Sequence, residues 1–158
     1  HHRTDEVFHR ARTFIDLCRY ALDSLNDASV RRGTARAAGH IATEMFLDGL
    51  LAERSANVEP YLSALDVESG KALHWEDSGR AYQTLRTQLR RWGAPVDYRD
   101  PTFVLVRLQG ALRARPKLAI TDEDYPRVAR CLPALRAQVA LRAEELLDEV
   151  QDGLSCAS

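Results

Sequence analysis

The stretch TARAAGHIATEMFLDGLLAER, residues 34–54, decides the fold. Its large apolar residues Ile41, Met45, Phe46, Leu47, Leu50 and Leu51 fall on almost every side of a helical wheel, so the spacing predicts a helix covered by neighbours on several sides. Thr34 is placed to cap its start, and the pattern runs out near Arg54. A helix of this kind needs other helices packed around it.

The flanking sequence supplies them. Upstream, Val7, Phe14, Cys18 and Leu25, flanked by Phe8, Ile15 and Leu22, recur at helical spacing and predict one helix that Asn26-Asp27 brings to a stop. Downstream, a short helix is expected over residues 59–65, and another from Asp77 or Ser78 through Tyr82, Leu85 and Leu89 to Trp92, ended by Gly93 and Pro95. Pro101 suits the first turn of a helix over residues 103–112. Thr121 or Asp122 opens a long last stretch, expected to break near Pro133 and to end at Gly153. No segment alternates as a strand would, and no 20–50-residue repeat or domain linker is visible. The expectation is an all-α chain forming a single compact helical domain over residues 1–158.

Composition agrees with one globular core. The 158 residues are 45% hydrophobic and 28% charged, a size at which folding removes about 70% of the unfolded chain's surface from water. The net charge of -1 gives no argument for nucleic acid or membrane as partner. All but two of the 22 basic residues are arginines, a usage that suggests a GC-rich bacterial genome. Cys18, Cys131 and Cys156 are far apart with no CxxC spacing, which argues against a disulfide framework or a thiolate zinc site. With no apolar run long enough for a membrane span and no signal-peptide pattern, the expected location is the cytoplasm. No G-x-S-x-G element or phosphate-cradling glycine loop occurs, so serine-hydrolase and nucleotide-binding chemistry fall away.

Two stripes of polar residues remain. Residues four apart share a helix face, and His1, Asp5 and His9 have that spacing on the first helix, as His40, Glu44 and Asp48 have on the second. Leu47 and Leu51 flank the second stripe on one side and Ile41 on the other, so its acids are expected to point inward. Unpartnered carboxylates are costly to bury, and imidazole with carboxylate oxygen is a ligand set for zinc, manganese or iron. Facing helices can therefore hold one or two cations between them. The alternative is that these pairs are ordinary i, i+4 contacts with a structural role.

At the same residues the chain resembles bacterial acyl carrier protein phosphodiesterases. The segment His1-His2-Arg3-Thr4-Asp5 looks like the family's H-R-x-I-D element, and residues 44–51, EMFLDGLL, are similar to its D-x-x-x-D-H-F-L element about forty residues later. Tyr98-Arg99-Asp100, residues 108–110 and Arg115-Pro116-Lys117-Leu118 resemble its Y-R-D and V-L-x-G…R-P-x-L stretches. The resemblance implies a helical bundle in the style of HD-type phosphohydrolases, with a G-N-x-x-x-D segment ahead of His1. It implies hydrolysis of the phosphodiester that joins 4′-phosphopantetheine to a serine of acyl carrier protein, with Mn2+ as the metal and Zn2+ or Fe2+ as alternatives. Carried over by position, His1, Asp5, Glu44 and Asp48 become ligand or catalytic residues, with Asp5 and Asp48 catalytic; His9, which stands where the family usually has an aspartate, and His40 of the second stripe complete a metal set of His1, Asp5, His9, His40, Glu44 and Asp48. The family's histidine after the second aspartate is Gly49 here, with His40 as its candidate substitute.

Arg86, Arg90, Arg107, Arg113, Arg115 and Lys117, together with Arg91, can form a basic patch, and the resemblance implies that an acidic carrier protein docks there. The rival is a helical protein of this fold that binds a carrier protein or another partner without catalysis. His74-Trp75-Glu76-Asp77 reads as a loop and helix cap.

Overall fold

A computed structural model of the chain describes residues 2–66 and 80–155. Helices α1 (His2–Arg10), α2 (Arg12–Asp27), α3 (Arg32–Glu53), α4 (Ser55–Asp66), α5 (Arg80–Trp92), α6 (Pro101–Leu112) and α7 (Tyr125–Ser155) follow one another, with a 3₁₀ turn at Val96–Arg99 before α6. No strand occurs among the described residues. His1, His74 and the expected helix start at Asp77 or Ser78 lie outside them.

The arrangement follows from α3, which is contacted by α2, α4, α6, α7 and the 3₁₀ turn. Ala35, Ala38 and Ala42 are fully buried on it, and their small side chains let the neighbouring helices approach closely. Phe46 and Leu47 complete that face, meeting a core built from Phe14, Leu17 and Leu25 of α2, Val104, Leu108 and Leu112 of α6, and Leu132, Val139 and Leu146 of α7. Each such large side chain contributes about 1.5–3 kcal/mol by leaving water. No helix among the described residues is long and apolar enough to cross a membrane.

Three expectations are corrected. The first helix is split at Ala11, whose φ of -58° and ψ of 130° break it into α1 and α2. The break is held from α7: Glu149 accepts hydrogen bonds from the Thr13 N–H at 3.0 Å and the Thr13 hydroxyl at 2.7 Å, capping α2 where Ala11 offers no side-chain acceptor. Thr34 does not cap α3; it is buried in the first turn and donates its hydroxyl to the Ala119 carbonyl at 3.1 Å. The last helix is not interrupted near Pro133 but runs unbroken from Tyr125 to Ser155. Val128 and Leu132 before the proline and Leu135 and Val139 after it are buried in the same core, which offsets the ~3 kcal/mol that an interior proline costs.

Loop closures near the amino-terminal end of α3 and near Asp48 depend on two glycines. A Cβ at Gly33 would lie 2.6 Å from the Lys117 carbonyl oxygen, and one at Gly49 would lie 2.6 Å from the Arg99 nitrogen and 2.7 Å from the Tyr98 carbonyl carbon. At position 49 the 3₁₀ turn occupies the space that any side chain would need.

Candidate metal centre

Helix α1 brings His9 over α3, where His40 and Glu44 stand one turn apart. One ligand atom from each of these three residues lies within 4.8 Å of the other two. His9 Nε2 is 3.1 Å from Glu44 Oε1, and His40 Nε2 is 3.3 Å from the same oxygen. These separations are near the edge of a coordination tetrahedron with bonds of about 2.0–2.1 Å, which is roughly 3.3–3.4 Å. The imidazoles lie nearly parallel, their ring centres 5.3 Å apart and their planes 16° apart. Phe14, buried in the core, sets its edge against both rings, with centroids 5.2 Å from each.

The outer nitrogens are also occupied. His9 Nδ1–H donates to the Asp5 carbonyl at 2.9 Å, with the Asp5 carboxylate 3.4 Å away. His40 Nδ1 lies 3.8 Å from Cys18 Sγ. Holding Nδ1 protonated on His9 turns the lone pair of Nε2 towards Glu44, the orientation in which a histidine ligates a metal. A bare lone pair facing a carboxylate oxygen is repulsive, so the pair needs a cation between them. A proton can serve: the Asp5 carbonyl, opposed by burial and helped by the Asp5 and Glu44 charges, holds the His9 pKa above the ordinary histidine value. The same donors, two imidazoles and a carboxylate, could also hold a divalent ion such as zinc, iron or manganese with a coordination position left open. Cys18 lies against the outer nitrogen of His40 rather than Nε2, and burial pushes its thiol up to about 11.

The expected acids at the ends of the stripes stand apart from this group. Asp5 reaches His9 from behind. Asp48, one turn beyond Glu44, is exposed to water in a cavity of about 510 Å³ whose wall includes Leu51, Val58, Tyr61, Tyr98 and Phe103. The expectation that the acids of α3 point inward is therefore corrected: the buried face of α3 runs through Ala35, Ala38, Ala42 and Phe46, and the acids lie along its rim, with Glu44 half-buried and Asp48 open to the cavity. Water touches the Asp48 carboxylate, but protein atoms crowd it; that desolvation, with the Glu44 charge nearby, pushes its pKa up to about 6.

The expected basic residues divide between two places. Arg107 lines the Asp48 cavity, whereas Arg115 lines a separate groove at the amino-terminal end of α3. Arg113 and Lys117 are exposed on the segment after α6, and Arg86 and Arg90 lie on α5. Arg32 and Arg36, which share the groove with Arg115 and His40, were missed by reasoning from the sequence. The signal was present, since Arg32, Arg36, His40, Glu44 and Asp48 form a single i, i+4 row.

No protein-family model, curated protein or solved structure matches the chain.

Proposed function

We propose that the protein is a divalent-metal-dependent phosphodiester hydrolase whose ion is held by His9, His40 and Glu44. The observation that carries this reading is the shared oxygen of Glu44, with an Nε2 atom from a different helix on each side of it at ligand-edge spacing. A bound divalent cation supplies Lewis-acid polarisation of a phosphoryl oxygen and makes a water acidic enough to attack near neutral pH.

The chain's own groups supply the rest. Asp48, with its raised pKa, is suited to take a proton near neutrality. The apolar wall of its cavity gives a place for the uncharged part of a substrate. Holo acyl carrier protein is the substrate nominated by the resemblance in residues 1–5, 44–51 and 98–118, with manganese as the metal, and the free thiols of Cys18 and Cys131 suit a reducing cytoplasm.

The test is incubation of the protein with holo acyl carrier protein and Mn2+, followed by mass spectrometry of the carrier. Release of phosphopantetheine that chelator and Glu44→Ala both abolish is the expected result. A carrier protein that binds but stays intact with manganese, zinc, iron and magnesium would replace the hydrolase with a partner-binding protein.

A further inference from the structure

The row along α3 changes character as it runs. Asp48 faces the apolar cavity, Glu44 and His40 belong to the cluster, and Arg36 and Arg32 follow towards the amino terminus, each step rising about 6 Å along the helix. At that end lies a groove of about 710 Å³ lined by Arg32, Arg36 and His40 of α3 and by Arg115 from the segment after α6. His40 thus belongs both to this groove and to the cluster.

Three guanidinium groups line the groove, and among the described residues none of them is paired with a carboxylate. Elsewhere in the fold Arg31, Arg54, Arg127 and Arg142 each have an acidic partner. Cations gathered without counter-charge repel one another, and a bound anion relieves that repulsion. The third arginine is carried on well-anchored backbone. Its segment packs on Gly33 through Lys117, and Ala119 accepts hydrogen bonds from Thr34 and Arg31. Ile41 and Leu118 give the groove an apolar wall. Planar guanidinium forks match the oxygens of phosphate.

We propose that this groove is a phosphate subsite, binding a phosphate other than the scissile one at about 6–12 Å along α3 from the cluster, so that it favours a diester with a terminal phosphate over the phosphopantetheine arm, whose one phosphate is the diester itself. The connection to a substrate rests on the hydrolase reading; the capacity to bind the anion does not.

The test uses metal-free protein and isothermal titration with inorganic phosphate. Wild type should bind at one site, and Arg36→Gln with Arg115→Gln should lose at least tenfold in affinity. Arg12→Gln with Arg130→Gln removes the same two charges from exposed positions on α2 and α7 and should bind as wild type; an equal loss there would mean diffuse attraction and overturn the subsite. No binding by wild type, or unchanged binding by the double variant, would overturn it as well. To separate free from substrate-borne phosphate, the manganese-loaded protein is titrated with the thymidine dinucleotides pTpT and TpT, the same diester with and without a terminal phosphate. At least tenfold tighter binding of pTpT is expected, and equal binding would overturn the substrate assignment. Phosphate binding without metal-dependent cleavage of any diester would refute the hydrolase reading while leaving the anion site standing.

Discussion

His9 Nε2 and Glu44 Oε1 face each other at 3.1 Å although 35 residues separate them, and this contact places a candidate ligand of α1 beside the candidate ligands His40 and Glu44 of α3. Because the outer nitrogen of His9 is already held by the Asp5 carbonyl, the cluster is preorganised and a metal need not order it first. Equilibrium dialysis should find one Mn2+ or Zn2+ per chain. Metal at about one hundred times its Kd should stabilise the fold by about 2.7 kcal/mol. Glu44→Ala should remove both effects, and retention of wild-type metal affinity by that variant would rule the centre out.

Asp48 gives a pH signature that distinguishes it from a surface carboxylate. Its folded pKa, about 6, lies above the unfolded value of about 3.9, so the folded state holds the proton more tightly. Ionised Asp48 therefore weakens the metal-free fold: stability falls as pH rises between these values, and the loss is complete above pH 6. Asp48→Asn should raise the Tm of metal-free protein by about 2–4 °C at pH 7.5, discounted for the water that reaches the carboxylate, and the gain should vanish near pH 4. The same substitution should lower diesterase activity by orders of magnitude if Asp48 takes the proton. A Tm difference independent of pH would show that Asp48 titrates as an ordinary surface acid.

Gly49→Ala tests how the 3₁₀ turn is seated. The added Cβ would meet backbone atoms of Tyr98 and Arg99 rather than a flexible side chain, so relief requires the turn to move away from α3. A loss of about 1–3 kcal/mol is expected in urea unfolding, as for other overpacked sites. Alanine has the higher helix propensity, by about 1 kcal/mol, so unchanged or increased stability would show that the turn yields freely.

That glycine also marks what the sequence made legible. The even spread of apolar residues over 41–51 correctly announced a central helix, and the i, i+4 spacing joined His40 to Glu44. His9 was legible as a ligand type, but the break at Ala11 was not, because the group that caps α2 is Glu149, more than 130 residues away. Likewise the split of Arg107 and Arg115 between two cavities depends on how α6 and the following segment pack, which helical periodicity does not encode. Arg32 and Arg36 were in plain view, but the stripe was read only between its histidine and its acids.

The anchor of Arg115 leads to the final prediction. Asp124 is 1% exposed, yet it accepts from Arg31 Nε at 2.8 Å and from the Thr121 hydroxyl at 3.0 Å, and the Arg31 guanidinium also holds the Ala119 carbonyl. Burial opposes ionisation of Asp124, but the hydrogen bonds from Arg31 and Thr121 outweigh it and keep the pKa below the ordinary carboxylate value. The folded state thus favours the ionised acid: the pair's contribution is fully present above about pH 3.9, the unfolded value, and is lost as pH falls through the lower folded pKa. Asp124→Asn should destabilise the protein by about 1–3 kcal/mol at pH 7, a difference that shrinks in acid. Since Arg31 would then hold Ala119 less firmly, Arg115 should be less well fixed, and phosphate affinity should fall about two- to fivefold, for a cost below about 1 kcal/mol. Metal affinity at His9, His40 and Glu44 should not change, because the Asp124 network touches none of these residues. An Asp124→Asn protein that is destabilised but binds phosphate as wild type would show that Arg115 does not depend on this anchor.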